Sequence, residues 1–450
     1  MRAFRARALT VAGSDSGGGA GIQADLKTFA ALGVHGMCAI TAITAQNTVG
    51  VYAVQDVDTD VIRSQIRAVA EDIGVDAVKT GMLHTSQIID VVAEELSKLS
   101  KPIVVDPVMI AKSGAELLRQ DAVKSLIEKM LPIATVLTPN ALEASKLTNI
   151  AVKTLEDAKR AAKVIANMGP KAVVVKGGHI STEKSVDILY YDEEVRLLES
   201  PKINTRNTHG TGCVFASAIA AELAKGSGIF DAVSVAKQFV INAIRNGINI
   251  GRGHGPVNPS ASVYEAAIRF ETLECLREAV KLLESNPSIV KLIPESQSNI
   301  AMAIPYAERR DEVVAIPGRI VKQPWGARAS GCPEFGASRH VANAVLAAME
   351  YNPSVRAAMN IRLGDDVLNA AKLLNLSISR YDRRLEPEEV KRTEGMSVRW
   401  GISQAVRLHG GVPNLIYHEG DWGKEPMVTV FGKDALEVAT LVVRLAERVK

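Results

Sequence analysis

Ala172-Val173-Val174-Val175-Lys176-Gly177-Gly178 is an apolar, mostly β-branched run that breaks into a basic, glycine-rich turn. A strand this uniformly apolar is one covered on both faces. The same form recurs upstream. Residues 8–12 lead into Gly13-Ser14-Asp15, 75–79 into Thr80-Gly81-Met82, 103–105 into Asp106-Pro107-Val108-Met109, and 135–137 into Thr138-Pro139-Asn140. Helical patterns fill the intervals, at 23–32, 86–99 and 155–168. This alternation predicts an α/β fold, a mostly parallel sheet flanked by helices. Ligands gather at the carboxyl ends of such strands, so the glycine-rich and polar clusters, all of which follow strands, should converge on one edge.

The breaker-rich segment Gly251-Arg252-Gly253-His254-Gly255-Pro256-Val257-Asn258-Pro259 closes this unit. The reading assigns residues 1–262 to the first domain, 263–279 to a linker helix and 280–450 to a smaller mixed α/β (α+β) domain. In the latter, helices are expected at 340–349 and 366–374, with strands at 313–316 and 427–430. Of the 450 residues, 47% are hydrophobic and only 4% aromatic, so the cores must be aliphatic. A net charge of +3, evenly spread, argues against a nucleic-acid groove or a membrane surface. Four scattered cysteines suggest neither a disulfide framework nor a zinc site. Arg2, Arg5 and Arg7 before an apolar run imitate a signal peptide, but the run stops at Gly13, too early for one. A cytoplasmic protein is expected.

The chemistry is densest at Asn207-Thr208-His209-Gly210-Thr211-Gly212-Cys213, which runs straight into an apolar helix. Glycines at a helix start let backbone N–H groups approach an anion, and the helix dipole favours negative charge there. Gly210, Thr211 and Gly212 are thus a candidate cradle for phosphate charge. The plainer reading is a glycine turn before a buried helix, and the loop alone does not choose between them.

Its company adds a resemblance. Gly13-Ser14-Asp15-Ser16-Gly17-Gly18-Gly19-Ala20-Gly21, Gln46-Asn47-Thr48, Lys79-Thr80-Gly81-Met82, Asp106-Pro107, Lys112-Ser113-Gly114, Asn140 with Glu143, and Lys176-Gly177-Gly178 together resemble the hydroxymethylpyrimidine and hydroxymethylpyrimidine-phosphate kinases of the ribokinase superfamily, over residues 8–259. The resemblance implies that Asp25 and Gln46 hold the pyrimidine, with Gly13 and Val108 lining its pocket. It implies ATP and Mg²⁺ as cofactors, with Asp106, Asn140 and Glu143 at the Mg²⁺–ATP end and Asp106 and Glu143 as metal ligands. Lys176 and Lys237 are implied near the phosphates, with Lys112 in a covering loop. Cys213 stands where related sugar kinases carry an aspartate base. At a helix N-terminus its pKa is expected to fall; base and small buried filler both stay open. Gln46 departs from the glutamate of several members, yet an amide serves a pyrimidine edge as donor and acceptor. Asp15 and Ser14 have a plainer use as turn or helix caps.

In the C-terminal part, Pro317-Gly318-Arg319 and Gly336-Ala337-Ser338-Arg339-His340 precede a strand and a helix, with Ser338 or a neighbour as the expected N-cap. Arginine and histidine at such a start suit a diphosphate, although charged loops are usually just solvated. With Asn360-Ile361-Arg362, Tyr381-Asp382-Arg383-Arg384 and Gly423-Lys424-Glu425-Pro426, they resemble the archaeal-type thiamine-phosphate synthase domain over residues 280–448. Arg319 and His340 match the positions implied for catalysis, His340 as an imidazolium. Ser338, Arg339, Asn360, Arg362, Asp382 and Lys424 are further anion or substrate candidates. The partners implied are small molecules (hydroxymethylpyrimidine, its phosphates and a thiazole phosphate) and a second copy of the chain in a dimer. Two alternatives remain: a C-terminal domain that only senses thiamine phosphate, and a pyridoxal-type kinase.

Overall fold

The computed structural model describes residues 6–449 apart from 111–113, 115–116, 120, 179–183, 306 and 394, and apart from the side chains at 391 and 392. Lys112 lies outside the described residues. The chain divides into two compact units, Met1–Tyr264 and Glu265–Lys450.

The first unit carries strands β1 (Arg7–Asp15), β2 (His35–Gln46), β3 (Val51–Asp56), β4 (Ala77–Thr80), β5 (Ile103–Val105), β6 (Val136–Leu137), β7 (Ala172–Val175), β8 (Lys184–Tyr191) and β9 (Glu194–Pro201). They form one sheet in the order β3-β2-β1-β4-β5-β6-β7-β8-β9. From β2 to β7 across that order all pairs are parallel; the pairs at either edge are antiparallel. The helices are α1 (Gly21–Ala31), α2 (Thr59–Asp72), α3 (Ser86–Ser97), α4 (Ala122–Ser125), α5 (Ala141–Thr148), α6 (Leu155–Ala166), α7 (Thr211–Ala224) and α8 (Ile229–Arg245).

Because successive strand residues face opposite sides, each inner strand feeds two cores. Leu9, Val11, Val78, Val105, Val173 and Val175 pack with α2 to α6. Ala8, Ala77, Val104, Ala172 and Val174 pack with α1, α7 and α8. That double burial is why these strands read as continuous apolar runs. After β1 the chain steps outward to β2 and then returns to β4 on the other flank of β1. The crevice at such a reversal is where ligands bind.

The strands read from sequence at 103–105 and 172–175 have those bounds, and the others shift by a few residues. Four strands escaped the reading. Among them, β8 and β9 form a hairpin that turns on Asp192 and Glu193, both left-handed at φ +55° and +62°. Two consecutive left-handed residues suit a tight hairpin turn, but Asp-Glu lacks the glycine or asparagine that flags one.

In the second unit, strands β10 (Ile300–Ala303), β11 (Val313–Ala315), β14 (Glu334–Phe335), β15 (Ala357–Arg362), β16 (Ile378–Arg380), β17 (Leu415–His418) and β18 (Met427–Gly432) form a sheet in the order β14-β11-β10-β15-β18-β17-β16. Only β16 and β17 are parallel; β12 (Ile320–Gln323) and β13 (Gly326–Ala329) pair separately. Ile300 and Met302 face α9 (Ala261–Ser285), α11 (Asp365–Leu373) and α14 (Ala435–Ala446), whereas Ala301 and Ala303 face α10 (His340–Met349) and α13 (Met396–His409). A short α12 (Glu388–Arg392) precedes α13.

The expected linker helix at 263–279 needs correction. Helix α9 continues to Ser285; Leu276, Ala279, Val280 and Leu283 lie in the core of the second unit, Leu273 packs against it, and Thr272 is buried on the same helix. Their spacing is a helical stripe, so the helix belongs to that domain rather than between domains. A fragment of residues 265–450 should therefore melt cooperatively. One of residues 276–450, stripped of Thr272 and Leu273, should lose about 2 kcal/mol and melt roughly 4–8 °C lower, as circular dichroism can measure.

Candidate active sites

The carboxyl edge of the first sheet is built on buried charge. Lys79, at the end of β4, places Nζ 2.8 Å from Asp25 Oδ2, and both side chains are wholly buried. Asp25 also accepts from Thr10 Oγ1 and Ser217 Oγ, each at 2.6 Å. Burial opposes the charge on Lys79, but Asp25, Cys213 and Asp106 more than restore it and hold its pKa above the ordinary lysine value. One residue beyond β7, Lys176 Nζ lies 2.9 Å from Asp106 Oδ1, which also accepts from Thr138 Oγ1 at 3.2 Å.

Helix α7 starts against this second pair. A Cβ on Gly212 would come 3.2 Å from Lys176 Nζ and 3.3 Å from Asp106 Oδ2. Gly210 sits at φ +81°, and a Cβ there would stand 1.8 Å from the carbonyl oxygen of Gly19. Only glycine fits both demands. The 13–21 loop is gathered by Asp15, which accepts from the backbone N–H groups of Gly17, Gly19 and Ala20 at 2.8–3.0 Å and meets His209 Nε2 at 2.9 Å. Beside it, a Cβ on Gly13 would come 3.2 Å from Met82 Sδ, and Met82 packs in a small apolar cluster with Ala42, Leu117, Val51, Val54 and Val108. Gln46 ends β2 at the same loop, bonded through its backbone to Ser16.

Asn140 and Glu143 form a capping box on α5: Glu143 N–H donates to Asn140 Oδ1 at 2.9 Å, and Asn140 N–H donates to Glu143 Oε2 at 2.7 Å. Burial, reinforced by the charge of Asp106 and opposed by Lys176, pushes the Glu143 carboxyl up to about 7. Two carboxylates crowded enough to raise one toward neutrality have the donor chemistry for a hard divalent cation. Among the described residues no three such ligands cluster, so a magnesium ion here would draw its remaining oxygens from nucleotide and water.

In the second unit, Arg319 adopts φ +76° and donates from Nη1 to the carbonyl of Ser296. Glu425 holds the same segment by accepting from Glu295 N–H at 2.8 Å and Ser296 N–H at 3.0 Å. Asn360 accepts from Asn299 N–H at 2.7 Å and donates to the Gln297 carbonyl at 3.0 Å. Burial first, then the cations Arg383, Lys424 and Arg319, depress the pKa of His340. His418, whose ring lies 5.2 Å from that of Tyr381, is pushed down to about 4 by burial, Arg383 and His340. Three cations thus act on His340, and one of them, Arg383, also on His418.

A sequence model described as phosphomethylpyrimidine kinase matches residues 15–258, more than half of the chain. The chain belongs to the phosphomethylpyrimidine kinase family. A second model, thiamine-phosphate synthase ThiN, matches residues 275–444. The kinase unit is 49% identical over 254 residues to a hydroxymethylpyrimidine/phosphomethylpyrimidine kinase of Bacillus subtilis, covering 56% of this chain and 94% of that protein. It is 48% identical over 255 residues to the thiamine biosynthesis bifunctional protein ThiED of Geobacter sulfurreducens, covering 56% and 52%. Among solved structures it resembles an ADP complex of a Bacillus subtilis pyridoxal kinase at 44% identity and a TM-score of 0.54, covering 57% and 98%. The chain therefore joins a kinase domain to a thiamine-phosphate synthase domain, two activities of thiamine biosynthesis.

Within this phosphomethylpyrimidine kinase unit, several of the expected site residues have partners that the sequence did not reveal. Asp25, expected at the pyrimidine, is wholly buried and accepts from Lys79, Thr10 and Ser217. Lys237 is committed to Asp187 at 2.8 Å, and Asp187 in turn accepts from Gly177 N–H at 2.8 Å, so it steadies the loop after Lys176. The Cys213 thiol does not acidify. Burial pushes it up to about 11, with Asp25 and Asp106 adding to the rise against Lys79 and the Gly21 N–H. The helix start was legible in sequence, but the two buried carboxylates facing it were not.

In the synthase unit, burial and then the cations Arg383, Lys424 and Arg319 disfavour the imidazolium expected at His340. Ser338 is buried but does not cap α10; Arg339 occupies the N-cap position without a side-chain cap bond. Arg362 is paired with Asp366, and Asp382 with Arg384. Asn360 is a strut beneath the 295–299 segment, whereas Lys424 faces His340. Sequence reading missed His209, Lys79 and Arg383, each inside a quoted motif with no periodic signal to single it out, and His418, which ends β17 outside those motifs. Gly210→Ala should lower kinase turnover by at least about 10²-fold through misplacement of the helix start, with synthase turnover unchanged in the same preparation; separate assays of the two half-reactions check this.

Proposed function

We propose that the first unit transfers the γ-phosphoryl group of ATP to the hydroxyl of 4-amino-5-hydroxymethyl-2-methylpyrimidine and then to its monophosphate. The second unit then joins the diphosphate to hydroxyethylthiazole phosphate. In that coupling the thiazole nitrogen bonds to the pyrimidinyl methylene carbon as the methylene C–O bond breaks, and diphosphate leaves. The setting is the cytoplasm and the enzyme a homo-oligomer, a dimer by resemblance; no nucleic acid or membrane takes part. No helix among the described residues is long and apolar enough to cross a membrane.

What carries the kinase reading is the meeting of the Lys176–Asp106 pair with the first turn of α7. There, backbone N–H groups and a fixed ammonium face the position where phosphoryl charge develops. Gly13, Met82 and Val108 form an apolar wall for the pyrimidine, and Gln46 offers its polar edge. Asp106 and Glu143 would hold Mg²⁺, which supplies charge neutralisation at the transferring phosphoryl group. Similarity to structures of pyridoxal kinases favours a second reading, with pyridoxal as the alcohol, and turnover of both alcohols side by side decides it.

A thiol held near 11 is a poor proton acceptor at neutral pH. Cys213 therefore positions the hydroxyl by hydrogen bonding, and the proton leaves as the phosphoryl bond forms. Cys213→Ala should lower kinase turnover about 10²-fold, and Cys213→Ser should recover most of it with an unshifted pH–rate profile. A thiolate base would show the reverse, since serine ionises far less readily than cysteine.

For the synthase, Arg319 and Lys424 would take the diphosphate beside His340. An arriving anion offsets the cations that depress His340, so its pKa rises and it gains a proton to give to the leaving group. Arg319→Ala and His340→Ala should each abolish thiamine phosphate formation and leave pyrimidine phosphorylation intact; loss of one such donor costs about 2.7–4 kcal/mol. Arg319→Lys should rescue poorly. Diphosphate binding near pH 6.5, the ordinary histidine range, should take up protons in calorimetry across buffers of different ionisation enthalpy. That uptake should vanish in His340→Gln. Wild-type protein that binds thiamine phosphate but forms none would be a sensor.

A further inference from the structure

His209 is used by none of the steps above, yet it sits between the phosphate cradle and the pyrimidine wall. Its Nε2 is 2.9 Å from Asp15 Oδ2, and Asp15 is nearly wholly buried. A carboxylate only accepts, so Nε2 must carry a proton and has no lone pair to offer. The Gln46 carboxamide lies 3.5 Å from that same Nε2 and, at its other end, 3.4 Å from Thr44 Oγ1. Thr44 spends its single hydroxyl proton on the Ser14 carbonyl at 2.8 Å and can only accept from Gln46.

A half-turn about the last side-chain torsion exchanges the amide nitrogen and oxygen. With nitrogen toward His209, a donor would face a donor, and Thr44 would need a second proton. With nitrogen toward Thr44, the hydroxyl oxygen accepts; with oxygen toward His209, the amide shares, as the longer branch at 3.5 Å, the Nε2 proton that goes mainly to Asp15, and no donor faces a donor. We infer that Asp15 and His209 fix the orientation of the Gln46 carboxamide and thereby make His209 a specificity-determining positioning residue for the aminopyrimidine substrate. This rests on the reading of Gln46 as the group that holds the pyrimidine.

The consequence is a defined register. An oriented amide presents one acceptor and one donor side by side, which pairs with an exocyclic amino group next to a ring nitrogen. A freely flipping amide would present the reversed order half of the time. The glycines fit the same purpose. A Cβ on Gly19 would come 2.5 Å from His209 Cδ2, so the loop leaves the imidazole room in this one position.

The test uses the full chain and two alcohols: the 4-aminopyrimidine and its analogue with hydrogen in place of the amino group. Gln46→Ala should erase the preference for the amino substrate. His209→Ala should raise KM for the amino substrate about tenfold, the equivalent of one hydrogen bond, with KM for the analogue and for ATP unchanged. His209→Gln, which retains an N–H for Asp15, should recover part of the loss. If His209→Ala melts too early to assay, Asp15→Asn frees the imidazole to take its other tautomer, and the same selective loss is expected. An equal loss on both alcohols would mean that His209 only clasps the loops and would overturn the inference. A preference that survives Gln46→Ala would instead refute the underlying reading of Gln46, and this inference with it.

Discussion

A lysine and an aspartate without solvent contact can persist in a protein interior only if each satisfies the other. Lys79 and Asp25 meet this condition with help from Thr10 and Ser217, so β1, α1, β4 and α7 all converge on one carboxylate. Breaking such a pair strands a charge at a cost of about 3–5 kcal/mol. Helix α7 is held down by this arrangement through Ser217, and the phosphate cradle and the Cys213 thiol at its start take their positions from that helix. Electrostatics here fixes geometry first and chemistry second.

The two units solve their anion problem differently. Among the described residues, the kinase edge pairs Lys79, Lys176 and Lys237 each with a carboxylate and lets a glycine-opened helix start face the developing charge. The synthase gathers Arg319, Arg383 and Lys424 near His340, whose pKa they and burial depress, with Arg383 itself buried and paired to Glu386 at 3.6 Å. A balanced site suits a substrate that arrives with its own metal counter-charge. An unbalanced one suits a leaving group whose charge appears on the way.

What the sequence made legible follows from where information is local. Double burial writes itself into continuous runs such as Ala172–Val175, so the parallel centre of the first sheet could be read directly. Strand β9, exposed along most of its length, alternates charge and aliphatic residues over a hairpin with no glycine, and left no comparable trace. Motifs located the site loops but not the member of each loop that turns inward. Within Tyr381-Asp382-Arg383-Arg384 the outward Asp382 and Arg384 neutralise one another, and Arg383 is the buried one. Protonation states were the least legible. Helix starts are visible in a sequence, but the carboxylates beside Cys213 and the cations beside His340 arrive from distant strands and loops.

That distance along the chain also bears on how the first unit comes into being. Asp25 finds Ser217 192 residues away, and Asp15 finds His209 across 194. During synthesis, a chain that has made only its first five or six parallel strands has a lysine and an aspartate paired across an unfinished face, with no helix yet to cover them. Loop-closure entropy rises only slowly with length, but contacts this remote are formed late and make folding slow. The last helix pair is thus both the lid of the core and the floor of the active site, so a nascent chain cannot be catalytically competent before it is structurally closed.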